Sequence, residues 1–409
     1  MALPDPARPP APAPPPPAPA PAPAAAGGRY VPFSPPVIGE DEIREVIDTL
    51  RSDWITTGPK TARFEMEFAQ LVGAPAALGL NSCTAALHLS LAVLGIGPGD
   101  LVATTPMTFA ASVNVIEHVG ARPLLVDVEP DTLNLSPAAL RERLTPQVKA
   151  IIAVHYAGHP ADLDALGELA ARRSIPLIED AAHALPAFHR GRAIGSSGRL
   201  TAFSFYATKN LTTAEGGMLT GDPELVARAR PLSLHGMSRD ASRRYQRGGS
   251  WRYEILAPGF KYNMTDLAAG LGLAQLRRLP AFQERRRRIV DAYDQAFAGL
   301  PLRTPVERPG CRSALHLYPI RLELERLAID RDEVIRRLDA RGVGTSVHFI
   351  PIHLHPYYRD KYGYAPDDFP VAHDAFQRLV SLPLNAGMQE EDVAHVIEAV
   401  RDVLAGARR

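Results

Sequence analysis

The sequence predicts an α/β protein: a large domain with a central, mostly parallel sheet flanked by helices, followed by a smaller C-terminal α/β domain. Three observations lead there. Short apolar runs alternate with helical segments, which is the pattern of a parallel sheet covered on both faces. A chain of 409 residues is long enough for one large core and a second, smaller one. The texture also changes after about residue 275, where long helices outnumber strands. We therefore expect a large domain over 29–275 and a small domain over 276–409.

Residues 1–28 precede both and are almost entirely Pro and Ala, ending in Gly27-Gly28. Such a segment buries too little apolar surface to offset its ordering entropy, so we expect a disordered tail without catalytic role. It lacks the basic-then-apolar layout of a signal peptide.

Glu40-Asp41-Glu42-Ile43 opens a helix whose apolar positions are Val46, Ile47 and Leu50. Trp54 to Gly58 is a turn, and Phe64, Phe68 and Leu71 mark the next helix by their spacing. Ala76–Leu80 reads as a strand, and Asn81-Ser82-Cys83-Thr84 leads into a helix from Ala85 to Leu94. Gly97-Pro98-Gly99-Asp100 is a turn before the strand Leu101–Ala103. Arg122–Val126, Ala150–His155 and Leu177–Glu179 are further strands, separated by helical segments. In the small domain we expect a helix over Ala281–Leu300, another over Arg331–Arg341 and a terminal one over Glu390–Val403.

Composition excludes several functions. Lysine plus arginine equals aspartate plus glutamate, 45 of each, so nothing favours nucleic acid or an anionic membrane as partner. The run Arg285-Arg286-Arg287-Arg288, flanked by Phe282 and Ile289, reads as the wet face of a helix. Cys83 and Cys311 are far apart with no CxxC or His-rich spacing, which argues against disulfide, zinc and iron–sulfur frameworks. Two cysteines and no long apolar run fit a cytoplasmic protein that does not span a membrane. The residue types of His348, His353 and His355 would permit a metal, but no carboxylate or helical register accompanies them.

The chemistry is carried by Lys209 and Asp180. Lys209 follows the apolar run Phe203-Ser204-Phe205 on a small-residue turn, and lysine is rarely placed beside a buried strand unless its amine is used. Asp180 closes the strand Leu177-Ile178-Glu179-Asp180. A lysine on such a turn and an aspartate at a strand end is the layout of a pyridoxal phosphate (PLP) site. There the lysine forms a Schiff base with the cofactor aldehyde, and the aspartate keeps the ring nitrogen protonated. The Cys83-Thr84 turn opens a helix, whose free N–H groups favour an anion; the Thr84 hydroxyl either adds a phosphate donor or caps the helix.

Four ordered segments then carry a resemblance: Asn81 to Leu89, Glu179-Asp180-Ala181-Ala182-His183, the Lys209 segment through Gly217, and Gly259 to Asp266. Over roughly residues 30–405 the chain resembles the DegT/DnrJ/EryC1/StrS family of PLP-dependent nucleotide-sugar aminotransferases. The resemblance implies aminotransferase fold type I. It implies that Cys83, Thr84 and Ser204 surround the cofactor phosphate, that Phe109 stacks on the ring and that His183 sits near the ring hydroxyl, although a core histidine is the plain alternative for His183. It further implies that Asn263 reaches the cofactor phosphate of the neighbouring subunit, hence a homodimer with shared sites; an Asn capping the helix near Thr265 is the other reading.

The implied reaction transfers the amine of L-glutamate to a keto sugar on a nucleotide diphosphate, leaving 2-oxoglutarate. His155 to Asp162 and Ala214 to Gly217 are most similar to the members that aminate C4 of a UDP-linked pentose or 6-deoxyhexose, with the producers of UDP-4-amino-4-deoxy-L-arabinose as the nearest pattern. Phe109 stands where those have tryptophan and Tyr206 where they have histidine, which leaves the sugar open. His155 to Pro160, His235-Gly236 and Ser250 to Gly259 are expected as substrate-side loops, and Val347 to Tyr358 at the mouth. Three competitors are weighed. A PLP-dependent deoxysugar dehydratase would carry histidine at Lys209, an amino-acid desulfurase would need a mobile cysteine, and a non-enzymatic relative would have lost Lys209 or Asp180.

Overall fold

The computed structural model describes residues 29–238 and 253–409; the Pro/Ala tail and the Ser250-Trp251-Arg252 part of the expected substrate loop lie outside them. Strands β1 (Ala77–Leu80), β2 (Leu101–Thr104), β3 (Arg122–Leu125), β4 (Val148–Val154) and β5 (Leu177–Asp180) follow one another with helices between. Two-residue strands β6 (Phe188–His189) and β7 (Arg192–Ala193) come next, then β8 (Thr201–Ser204) and β9 (Gly217–Thr220). Seven of these form the central sheet in the order β1-β9-β8-β5-β4-β2-β3. Pairing is parallel from β8 through β3, and β9 alone runs against its neighbours β1 and β8.

The sheet is buried on both faces, as its uninterrupted apolar strands require. Successive residues alternate between two cores: Ala103, Ile151, Leu177 and Phe203 pack on one side. Val102, Ile152, Ile178 and Ala202 pack on the other. The first four helices are α1 (Glu40–Arg51), α2 (Pro59–Val72), α3 (Cys83–Val93) and α4 (Ala111–His118). Ser82 caps α3, its hydroxyl accepting from the Ala85 N–H at 3.1 Å, so the helix begins two residues before the expected Ala85.

The long helix α5 (Asp266–Phe297) starts fifteen residues earlier than expected and runs straight through Pro280, where the sequence pattern suggested a start. One proline removes one backbone donor. The packing outweighs that loss: Leu276 and Leu279 sit in the large core, while Ile289, Val290, Tyr293 and Phe297 sit in a second core. This second core covers the antiparallel sheet of β10 (Leu302–Arg303), β12 (Tyr318–Leu322) and β13 (Leu379–Leu382). Strand β11 (Cys311–Arg312) pairs instead with β6.

The arginine run is not a uniform wet face, which corrects the sequence reading. Arg286 is 4% exposed and its Nη1 donates to the carbonyls of Leu315, His316 and Leu384 at 3.2, 3.3 and 2.8 Å. Arg285 ties to the Met388 carbonyl and Arg287 to Glu307, while Arg288 lies exposed against Glu284. A four-residue run on a helix covers every direction, so one member must face inward.

Arg286 therefore supplies hydrogen bonds to buried backbone carbonyls. We expect Arg286→Met to destabilise the fold by roughly 2–4 kcal/mol, because buried acceptors lose their donor. Arg288→Ala should stay within about 0.5 kcal/mol. Denaturant melts of the two variants side by side check this.

Candidate active site

The C-terminal ends of β5 and β8 bring the predicted residues together, as expected for a parallel sheet. Asp180 is the last residue of β5 and Ser204 the last of β8. The chain then turns back at Tyr206–Lys209, closed by the Lys209 N–H on the Tyr206 carbonyl at 2.9 Å. These ends, the first turn of α3 and the start of α4 wall a cavity of about 660 Å³. Cys83, Thr84, Phe109, Asp180, His183, Ser204 and Lys209 all line it.

Asn263 does not line this cavity. It bridges to Leu80, and its side chain donates to Thr57 Oγ1 at 2.6 Å and accepts from Lys261 Nζ at 2.5 Å. It is not a helix cap, since Thr265 caps α5. Neither is Thr84, whose place is taken by Ser82; the Thr84 hydroxyl is thus on the wall of the cavity without a capping duty.

Close approach of backbone explains Gly217. A Cβ on Gly217 would stand 2.4 Å from the Ser82 carbonyl carbon and 2.5 Å from the Cys83 nitrogen. Only a residue without a side chain lets β9 pass this near the first turn of α3.

Burial governs the charges. The Lys209 amine is pushed down from its ordinary value to about 8 by desolvation, against the Asp180 carboxylate, which favours its charged form. Desolvation pushes the His183 and His316 imidazoles well below the usual histidine range, and the nearby lysine adds to it. His348 falls to about 4 for the same two reasons. The Cys83 thiol is pushed well up by burial and by Asp180, from whose Oδ1 its sulfur lies 3.9 Å. Lys209 thus faces neutral rings and one acid. Asp180 accepts from the Ala182 N–H at 3.1 Å and from the Ser112 hydroxyl at 2.7 Å.

His183 is packed between His316 (ring centroids 4.4 Å) and Phe349 (5.7 Å), and its buried Nδ1 has no hydrogen-bond partner among the described residues. Asn210 fixes His316. Its amide nitrogen donates to the carbonyls of Leu185 and Ala314, so its oxygen accepts from His316 Nδ1 at 3.1 Å. His348 Nδ1 is 2.9 Å from Ser381 Oγ, and its ring stacks on Phe33 at 5.4 Å.

Pyridoxal phosphate fits these residues. There is a lysine with a depressed amine, a buried carboxylate, free N–H groups at a helix start, an orphaned His183 nitrogen and an aromatic, Phe109, at the mouth. No group of three His, Cys, Asp or Glu side chains placed to hold a metal occurs among the described residues. No described helix is long and apolar enough to cross a membrane.

Other expected segments lie away from this cavity. His155 to Pro160 is not a wall of this cavity: His155 is fully buried, its Nε2 3.2 Å from Glu179 Oε2 and its Nδ1 accepting from the Ala161 N–H. His235 and Tyr253–Gly259 also lie off the cavity. Ser112, His316 and Phe349 line it and were not singled out from sequence. Phe349 belongs to the segment expected at the mouth, but Ser112 and His316 carry no local signal, because a serine in a helix and a histidine before a strand are ordinary.

Comparison with known proteins places this geometry. Residues 36–401 match the DegT/DnrJ/EryC1/StrS aminotransferase family. The spore coat polysaccharide biosynthesis protein SpsC of Bacillus subtilis is 49% identical over 381 residues, 92% of this chain and 98% of its own length. Spr1654 of Streptococcus pneumoniae, solved in its PMP form, superposes with a TM-score of 0.87 at 40% identity, covering 92% of this chain and 99% of that one. The sugar aminotransferase CalS13 of Micromonospora echinospora gives a TM-score of 0.82 at 28% identity over 91% of this chain and 99% of its own.

The depressed Lys209 amine has a direct consequence. Its neutral form is the nucleophile toward an aldehyde, so the rate at which cofactor-free protein takes up PLP should climb with pH and level off above about 8. A rate still climbing toward pH 10.5 would show an unshifted lysine. Stopped-flow absorbance across a pH series measures it.

Proposed function

Because this chain belongs to the DegT/DnrJ/EryC1/StrS aminotransferase family and is a PLP-dependent sugar aminotransferase, we propose that it aminates a nucleotide-diphosphate-linked keto sugar at its 4-keto carbon, with L-glutamate as donor. The observation that carries the reading is Lys209 and Asp180 in one cavity, the lysine with its amine lowered to about 8. The cavity is large enough for a sugar beside a cofactor, within the ordinary range for small-molecule sites.

When bound, the cofactor supplies a cationic ring that accepts the electron pair left on a carbon that has lost its proton. Lys209 Nζ would hold the cofactor. When free, its neutral amine would take up the proton of the glutamate α-carbon, and in the second half-reaction it would deliver a proton to the sugar carbon that receives nitrogen. The Asp180 carboxylate keeps a proton on the ring nitrogen. Thr84, Ser204 and the N–H groups opening α3 would hold the phosphate, Phe109 would cover the ring and His183 would face its hydroxyl.

In this reading Asn263 serves the phosphate of the partner's site, which suits a residue on the outside of its own cavity. The active unit is then a homodimer. A cytoplasmic setting fits the two free cysteines, Cys83 and Cys311.

Adding L-glutamate to the PLP-loaded protein should convert the Schiff-base band to the pyridoxamine spectrum and release 2-oxoglutarate. A UDP-linked 4-keto sugar should restore the band. A band that L-glutamate leaves unchanged would overturn the donor, and recovery with a 3-keto sugar alone would overturn the position. Lys209→Ala should lower turnover at least about 10³-fold, since both its holding and proton-moving roles are lost. Inactive Lys209→Ala chains mixed with Asn263→Ala chains should regain part of the native turnover, and a mixture that stays inactive would count against shared sites.

A further inference from the structure

The acid that faces the cofactor ring is itself tethered from behind by a chain of hydroxyls. Ser112, in the first turn of α4, donates to Asp180 Oδ2 at 2.7 Å. Its only proton is spent on that bond, so the 2.7 Å contact between Thr108 Oγ1 and Ser112 Oγ has Thr108 as the donor. All three groups are buried: Thr108 is 3% exposed, Ser112 1% and Asp180 4%. The Ala182 N–H occupies Oδ1 from the other side.

We infer that Thr108 and Ser112 are positioning residues that keep the proton shared by Asp180 and the cofactor on the ring nitrogen, and so set the strength of the electron sink. This rests on the proposed placement of Asp180 against that nitrogen. Donors on a buried carboxylate, here Ser112, the Ala182 N–H and the longer Cys83 thiol contact, favour its charged form, and a carboxylate that loses one competes better for a nearby proton. The chain polarises along its length: the Thr108 hydroxyl makes Ser112 a stronger donor, and Ser112 in turn stabilises the negative charge on Asp180. Thr108 lies in the bend that precedes α4 and Ser112 in its first turn, and this tight entry to the helix brings the two hydroxyls together.

The test uses full-length protein reconstituted with PLP labelled with nitrogen-15 in the ring. The ring nitrogen resonance separates the protonated from the unprotonated form without turnover. Ser112→Ala should move it toward the unprotonated position and lower the single-turnover rate with L-glutamate about tenfold. Thr108→Val, close in shape, should move both the same way but less, and Ser112→Thr should restore them. Asp180→Asn is run alongside. If Asp180→Asn leaves the resonance in place, the placement of Asp180 is wrong. If Asp180→Asn moves it while Ser112→Ala and Thr108→Val do not, the tether has no electronic role and the inference is overturned. Should Ser112→Ala fail to fold, Thr108→Val decides alone.

Discussion

Desolvation of one amine is the constraint on which the site depends. Moving Lys209 from its ordinary value to about 8 corresponds to about 3 kcal/mol of disfavoured charge, a cost the fold carries so that a neutral base exists near physiological pH. Everything facing the lysine is consistent with it. Protonated imidazoles at His183, His316 and His348 would repel the cofactor's own positive charge, yet burial keeps all three neutral. Cys83, beside Asp180, stays a thiol and adds no second anion.

That arrangement is produced by few architectural choices. A parallel sheet buried on both faces delivers Asp180 and Ser204 to the same edge. The antiparallel β9 lies beside β8, and its Gly217 closes onto the opening turn of α3, joining the helix start to the lysine loop. The three-stranded sheet of β10, β12 and β13 fixes the opposite wall. Ser381 of β13 holds His348, and Arg286 of α5 secures the carbonyls of Leu315 and His316. One long helix packed into two cores therefore links the outer wall to the floor.

Much of this was legible because the chemistry of the pair Lys209 and Asp180 needs particular residue types next to strand ends. Thr84 was legible as an anion donor, but its freedom to act as one rested on Ser82 capping α3, which the order of residues alone left open. Pro280 misled, because a proline's local cost is visible in a sequence and the two cores that outweigh it are not. Arg286 misled for the same reason: four arginines in a row look alike until packing selects one to face inward. His155 was expected in a substrate-side loop, yet Glu179 and the Ala161 N–H occupy both its nitrogens.

The sequence by itself determined the alternation of buried strands and helices, the lysine and acid at strand ends and the family those motifs point to. Apolar periodicity and residue chemistry are local properties, written in neighbouring positions. Only the tertiary structure decided which histidines are neutral, that Ser112 and Thr108 stand behind Asp180, and that Asn263 lies off its own cavity. These depend on burial and on hydrogen bonds between segments far apart in the chain, such as Ser112 with Asp180 and Asn210 with His316. No local pattern encodes a contact whose partner is chosen by the fold.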